Sequence, residues 1–362
     1  MVNPWLSVII PAYNKPDYTR KTLQSIVEQD YRPIEIVISD DCSPISLESL
    51  IEEFRQHEND QFRIKFFRQK TNLGPMDNVI FTFDNTTGKY LALIPHDDWY
   101  TDKYFFSEAV TLMENNPECY LCGANSVYEG NDNVKMITLP DWLEPQEKWH
   151  MLPGDKYIKL LGCGGKDSIG YQAGSGIISN LELLKKLGAF HYPYNITRSL
   201  ALSMDILPDE GFAFEFLLAS EGSAAITEKV VSVRGRPQDS YSQTQAWGHV
   251  VGQAMFIIYY NLYKADLHGK YARAVKRRAR EVIFHWPVEK MNLKILKHYN
   301  YEYNAIWLML CSYMVRFTIL PRRHFSFLKK LLIAIRKREL SYIIAKQKTK
   351  GVSGVIRALF RI

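Results

Sequence analysis

The sequence predicts an α/β protein: a mixed, mostly parallel sheet flanked by helices, followed by a helical C-terminal region. Two observations carry this. In the first hundred residues, continuous apolar runs of strand length alternate with segments whose apolar positions recur every three or four residues. Beyond residue 245 the strand-like runs give way to amphipathic helical patterns rich in Lys and Arg. Repeated strand–helix–strand units of this length give parallel strands with crossover helices on both faces.

The elements follow in order. "LSVIIPAYN" (6–14) is an apolar run closed by Pro and Asn, as for a strand buried on both faces. "PDYTRKTLQSIVEQD" places Leu23, Ile26 and Val27 at helical spacing. "PIEIVISDDCSP" is a second buried strand ending in acids, and "SLESLIEEFRQH" a second helix with Ser46 as its expected N-cap. "FRIKFFRQ" is a third strand, and "NLGPMDNVIFTFDNT" a loop leading into a helix. Residues 89–95 form a fourth strand that ends on Pro95 and is followed at once by His96, Asp97 and Asp98. Further on, "DKYFFSEAVTLMENNP" is a helix stopped by Pro117, and "CYLCGANSVYEG" a strand. "YQAGSGIISNLELLKKLGAF" reads as a turn, a short strand and a helix capped by Gly188. "DEGFAFEFLLASEG" is a helix and "AAITEKVVSVRGRP" a strand.

Unpaired carboxylates are costly to bury, so adjacent acids at strand ends belong at an exposed edge or beside positive charge. In parallel sheets, ligands bind at the carboxyl ends of the strands. Asn14, Asp40 with Asp41, and Asp97 with Asp98 end three different strands and are expected to gather at one edge.

Of the 362 residues, 46% are hydrophobic and 13% aromatic, which supports a sizeable core and excludes a disordered chain. No basic segment with a long apolar run opens the sequence, so no secretory leader is expected. "AIWLMLCSYMV" is too short to span a bilayer and precedes Arg316. Five scattered cysteines point to a reducing compartment. Cys119 and Cys122 have no second pair at zinc spacing, and strand alternation predicts buried thiols on opposite faces.

The net charge of +6 is uneven: from residue 251 onward there are 23 Lys and Arg against 5 Asp and Glu, and before it 22 against 34. "HFSFLKKLLIAIRKREL" places Phe325, Leu328, Leu332 and Ile335 on one helical face, and "VSGVIRALFRI" does the same with Val352, Val355, Ile356, Leu359 and Phe360. Such helices suit an anionic membrane surface, the alternative being apolar faces packed on the rest of the protein. The apolar stripes argue against a nucleic-acid partner.

"SVIIPAYNKPDYTRKTLQSIVEQDY", "EIVISDDCSP" and "NLGPMDNVIFTFDNTTGKYLALIPHDDWY" resemble, in this order and spacing, the family 2 glycosyltransferases. "LPDEGFAFEFLLASEG" and "SVRGRPQDSYS" add weaker likeness. The resemblance runs over roughly residues 5–242 and implies the GT-A fold, which is Rossmann-like. It implies residues 1–100 as the nucleotide-sugar-binding half, 101–244 as the acceptor-binding half and 245–362 as a basic helical region for membrane-surface attachment. The implied activity is inverting transfer of one sugar from a nucleotide-sugar donor, a UDP-sugar, to an acceptor hydroxyl. The expected acceptor is a lipid-linked glycan in O-antigen or capsule synthesis, at the inner face of the cytoplasmic membrane.

The resemblance also implies roles for residues. A divalent cation, Mn2+ or Mg2+, bridges the diphosphate oxygens, with Asp97 and Asp98 as its protein ligands. The family's acidic motif opens with an Asp where Pro95 stands here, and proline cannot bind a metal. His96 is expected to hydrogen-bond near the metal rather than ligate it. Pro11, Ala12, Tyr13 and Asn14 line the base and ribose. Asp40 resembles the acceptor for uracil N3–H, with Asp41 as its neighbour or substitute. Asn72, Gly74 and Asn78 complete the donor side, and Asp77 stands where the family carries a basic residue. Asp209 and Glu210 are the implied general base, with Glu215 behind them. Arg234, Arg236 and Ser240 fall in a segment that closes over the diphosphate.

"GCGGKDS" (162–168) lacks P-loop spacing, and "QTQAW" (243–247) lacks the Arg of processive synthases, so a single addition is expected. Two rivals stand beside this reading. One is a degenerate nucleotide- or glycan-binding scaffold at the membrane, motivated by Pro95 and Asp77. The other is a sugar nucleotidyltransferase, which needs a Gly- and Arg/Lys-rich loop that "PAYNKPDYTRK" does not supply.

Overall fold

The computed structural model describes residues 3–130, 149–163, 174–188 and 213–237, with 139 and 143 as single positions. The chain divides into two compact units, 1–280 and 281–362, and every described residue lies in the first. Asp209, Glu210, Ser240, residues 243–247 and the basic region 245–362 lie outside the described residues.

Nine described strands form one sheet. They are β1 (Leu6–Ala12), β2 (Ile34–Asp40), β3 (Phe62–Arg68), β4 (Tyr90–Leu93), β5 (Asp98–Tyr100), β6 (Cys119–Tyr128), β7 (His150–Pro153), β8 (Ile177–Asn180) and β9 (Ser223–Arg234). The order is β3-β2-β1-β4-β8-β6-β9-β5, with β7 also paired to β9. β3, β2, β1 and β4 are parallel. β8 is antiparallel to both β4 and β6, so β6 runs in the direction of β4, and β9 runs parallel to β6. The carboxyl ends of β1, β2, β3, β4, β6 and β9 therefore share one edge. β5 pairs antiparallel with β9, matching Asp98 to Arg234.

The helices are α1 (Pro16–Val27), α2 (Glu48–Phe54), α3 (Pro75–Asp84), α4 (Phe105–Asn115), α5 (Gly154–Cys163), α6 (Leu181–Leu187) and α7 (Ala213–Glu221). α2 starts two residues after its expected cap: Leu47 is the N-cap, and Ser46 Oγ accepts from Glu48 N at 3.2 Å. α6 is closed by Gly188 in the left-handed region, as its sequence predicts, and opened by Asn180 accepting from Leu183 N. Leu6, Val8, Ile9 and Ile10 of β1 are fully buried, which explains an apolar run without alternation. Each such side chain contributes about 1.5–3 kcal/mol by burial.

At the edge opposite the carboxyl ends, Glu35 of β2 is a buried carboxylate with its donors supplied. Ser7 Oγ (2.5 Å), Thr87 Oγ1 (2.9 Å) and Gly88 N (3.1 Å) donate to it, with Lys65 at 2.9 Å and Arg63 at 3.2 Å. Burial works against its charge, yet the bonds from Ser7, Thr87 and Lys65 outweigh it and hold the pKa below the ordinary carboxylate range.

β6 departs from the expected alternation. Its register shifts between Cys119 and Leu121, and both thiols sit in the same apolar cluster, unbridged and hydrogen-bonded to each other. The irregularity resets the two-residue period, so the thiols do not face opposite ways. Among the described residues no helix is long and apolar enough to cross a membrane.

Candidate active site at the carboxyl edge

The ends of β1 and β2 are stitched together under backbone strain. Asn14 and Lys15 (both φ 59) and Cys42 (φ 60) occupy the left-handed region, at a cost of order 1 kcal/mol or more each for non-glycine residues. Hydrogen bonds hold them: Asn14 N donates to Ser43 Oγ at 2.7 Å, Asp41 N to Ala12 O at 2.8 Å and Cys42 N to Asp40 O at 2.8 Å. Asn78, buried on α3, donates to Ser39 O at 3.1 Å and Ala12 O at 3.4 Å, tying both strand ends to the helix. Asn78 thus braces the edge from beneath. Tyr13, beside this knot, is 43% exposed.

The two acids after β2 differ. Asp40 has no exposed surface. Its Oδ1 accepts from Ser43 N at 2.9 Å, and its Oδ2 from Leu47 N at 3.2 Å and Arg68 at 3.3 Å. A carboxylate so enclosed shapes the 41–47 loop and is closed to a base edge, which corrects the expectation that Asp40 accepts from uracil. Asp41, 3% exposed, reaches the other way: Leu73 N donates to Oδ1 at 2.6 Å and Gly74 N to Oδ2 at 3.0 Å. Burial pushes the Asp41 pKa up against those two donors. Asn72 Oδ1 also accepts from Gly74 N at 2.9 Å, so Asn72 and Asp41 together set the loop that leads into α3.

Arg68 is the residue that sequence reasoning missed. It ends β3 opposite Asp40 in the parallel register, and also donates to Ser43 O at 3.0 Å. The signal was the last residue of "FRIKFFR", but only the register reveals its partner.

Pro95 to Asp98 form a tight turn, with Asp98 N donating to Pro95 O at 3.1 Å. Two contacts fix it to the β1 side. His96 Nδ1 lies 3.2 Å from Pro11 O, and Thr22 Oγ1 of α1 lies 2.6 Å from Asp98 O and 2.9 Å from His96 O. His96 Nε2 is buried without a protein partner. Burial lowers the His96 pKa against the pull of Asp97, which favours the neutral ring.

The paired acids again part. Asp97 is half-exposed at the edge. Asp98 is 3% exposed and turned inward: Gly235 N donates to Oδ1 at 3.2 Å, and Arg234 Nε lies 4.0 Å from Oδ2. Burial pushes its pKa up to about 7, with Arg234 opposing. Gly235 is required here, because a Cβ would lie 2.0 Å from Asp97 O. Arg234 and Arg236 flank this contact, their guanidinium groups 5.6 Å and 4.2 Å from the Tyr128 ring centroid.

Among the described residues, no group of three or more His, Cys, Asp or Glu is placed to hold a metal by itself. Mg2+ and Mn2+ often take one or two protein carboxylates and complete their shell with phosphates and water. The half-exposed Asp97 fits that demand, whereas the enclosed carboxylate of Asp98 does not, which departs from the expectation of a two-Asp ligand set. Glu215, the reserve base, is 1% exposed on α7 and accepts from Tyr157 OH of α5 at 3.0 Å. That bond ties the first turn of α7 to α5. The structure thus gathers Pro11 to Asn14, Asp40, Asp41, Asn72 to Asn78, His96 to Asp98, and Arg234 with Arg236 at one sheet edge.

A family model described as Glycosyl transferase family 2 matches residues 7–175. Over 164 residues the chain is 32% identical to the abequosyltransferase RfbV of Salmonella typhimurium, covering 44% of this chain and 47% of that one. Over 118 residues it is 33% identical to the GalNAc(5)-diNAcBac-PP-undecaprenol beta-1,3-glucosyltransferase of Campylobacter jejuni, covering 32% of this chain and 36% of that one. The matches span about a third to a half of the length of these curated relatives. The structure of S. aureus TarS 1–349 in complex with UDP-GlcNAc is similar with a TM-score of 0.56 at 16% identity, covering 81% of this chain and 80% of that one. At that identity the likeness is one of fold, a mixed sheet with flanking helices of the GT-A type.

Proposed function

We propose, from the premise that residues 7–175 make this chain a family 2 glycosyltransferase, that it transfers one sugar with inversion from a UDP-sugar to a hydroxyl of a lipid-linked glycan. The observation that carries the reading is the sheet edge itself, where five segments converge and the half-exposed Asp97 carboxylate ends the turn after β4. The relatives named above support a role in bacterial polysaccharide synthesis, and the PP-undecaprenol in the C. jejuni enzyme's name supports the lipid-linked acceptor.

In this mechanism the exposed Tyr13 ring stacks on the base. Asp41, its oxygens taking Leu73 N and Gly74 N, holds the 72–74 loop in place beside the base. Asp97 would hold a divalent cation, which when bound would supply charge stabilisation to the leaving diphosphate. Asp98 does not ligate; it braces Gly235 and Arg234, so that β9 delivers Arg234 and Arg236 to the same place. Neutral His96 keeps the turn against Pro11. Asp209 or Glu210 supplies the base that takes the acceptor proton.

The test is turnover of UDP-glucose, UDP-galactose and UDP-GlcNAc with Mg2+, following UDP release and the first-formed sugar anomer by NMR. Metal-dependent release with inversion of the α-linked donor is expected. No release from these, nor from GDP- or TDP-sugars, would replace the reading by a binding scaffold.

A further inference from the structure

Beside the Asp97 turn lies a ring cluster to which the reading above assigns no role. Within β5, Asp98 and Tyr100 are buried, and Trp99 between them is half-buried on the other face. The Trp99 ring centroid is 6.4 Å from that of Tyr18 on α1, at 42°. Lys21, one turn further along α1, holds Nζ 4.8 Å from the Trp99 centroid and 5.2 Å from that of Tyr18. Glu129, just beyond β6, accepts from Tyr18 OH at 2.9 Å and lies 3.7 Å from Lys21 Nζ. The Lys21 side chain is 54% exposed, so the cluster is not core.

The cluster adjoins the turn that bears Asp97. A Cβ on Gly235 would lie 2.0 Å from Asp97 O and 3.0 Å from Tyr18 Cε1, so the platform begins within one residue's width of the turn. The donor half of the edge is occupied by the β1 and β2 ends and the 72–78 loop. Inverting attack comes from the face of the donor sugar opposite its diphosphate, so the incoming hydroxyl needs a seat on the sugar side of the edge, away from the base.

We propose that Trp99 and Tyr18, rimmed by Lys21 and Glu129, seat a pyranose ring of the acceptor, an inference that rests on the glycosyltransferase reading above. A pyranose has an apolar C–H face and a rim of hydroxyls that both donate and accept. The two rings match the first, since aromatic faces carry the negative side of a quadrupole toward C–H groups. The Lys21 ammonium, the Glu129 carboxylate and the Tyr18 hydroxyl match the second. Lys21 covers the rings in the absence of a sugar, but a cation–π contact at an exposed site is worth only about 0.5–1 kcal/mol, so a sugar displaces it easily.

The experiment is saturation-transfer NMR on the full chain with UDP and Mg2+, irradiating aromatic protons and observing methyl pyranosides of glucose, galactose, mannose and N-acetylglucosamine. For wild type, enhancement of the ring protons of at least one pyranoside is expected. It falls at least fivefold in Trp99→Ala and is largely retained in Trp99→Phe, while UDP affinity, measured on the same samples, stays within twofold. Undiminished enhancement in Trp99→Ala overturns the proposal, and so does its absence from wild type that binds UDP. Loss of UDP binding in Trp99→Ala but not in Lys21→Ala also overturns it, by making Trp99 a structural support. Wild type that fails to bind UDP overturns the glycosyltransferase reading itself, and the seat with it.

Discussion

Asp98 carries an electrostatic cost at the edge. Its pKa is about 7 in the folded chain against an ordinary value of 3.8, because burial penalises the charge more than Arg234 relieves it. The folded state therefore holds a proton that the unfolded chain releases near pH 4. Stability falls as pH rises from about 4 to about 7, and the cost is complete above that. Asn in its place keeps an acceptor for Gly235 N and carries no charge. In metal-free buffer, Asp98→Asn is predicted to gain stability relative to wild type between pH 5 and pH 8, by on the order of 1–4 kcal/mol. Urea unfolding at both pH values measures this, and a wild-type-to-variant difference that does not change with pH contradicts it. The residue scale is also where the sequence was least legible. "DD" appears twice, and each pair reads as two equal acids. Which of the four are enclosed depends on Leu47 N, Arg68, Leu73 N and Gly235 N, which arrive from elsewhere in the chain, and only Asp97 stays half-exposed.

At the scale of elements, β1 to β4 and α1 to α4 were legible because each writes its burial into a local period. What local pattern did not contain is pairing. The insertion of β8 between β4 and β6, the antiparallel seat of β5 on β9 and the register shift in β6 are long-range facts. The β5–β9 pair matters most, since it presses the end of β9 on the Asp97 turn. Gly235→Ala drives a Cβ into Asp97 O and forces the two apart. It is predicted to cost about 1–3 kcal/mol in stability and to weaken UDP binding with Mg2+ at least tenfold. Gly74→Ala is the control: φ is 83 there, but the space around a Cβ is open. It is predicted to cost about 1 kcal/mol through backbone strain alone. Urea unfolding with UDP titration separates them; a Gly235→Ala variant that binds UDP as wild type does contradicts the close-contact account.

At the scale of the whole molecule, the described part is one sheet whose two ends do different work. One edge is closed by Glu35 and its cationic partners, and the other gathers strained turns, divided acids and arginines. The convergence at that second edge was legible in the sequence, because parallel strands must place their carboxyl ends together. The metal reading follows from that edge: the half-exposed Asp97 by itself supplies too little charge to hold a cation tightly, but enough to hold it against a diphosphate. Calorimetric titration of UDP into the full chain, with and without Mn2+, for wild type, Asp97→Asn and Asp98→Asn, tests this most directly. The account predicts micromolar binding by wild type with Mn2+. It predicts at least tenfold weaker binding, about 1.4 kcal/mol, without the metal or in Asp97→Asn, and metal-dependent binding retained in Asp98→Asn. Equal affinity in wild type and Asp97→Asn with Mn2+, or binding that ignores the metal, would contradict it.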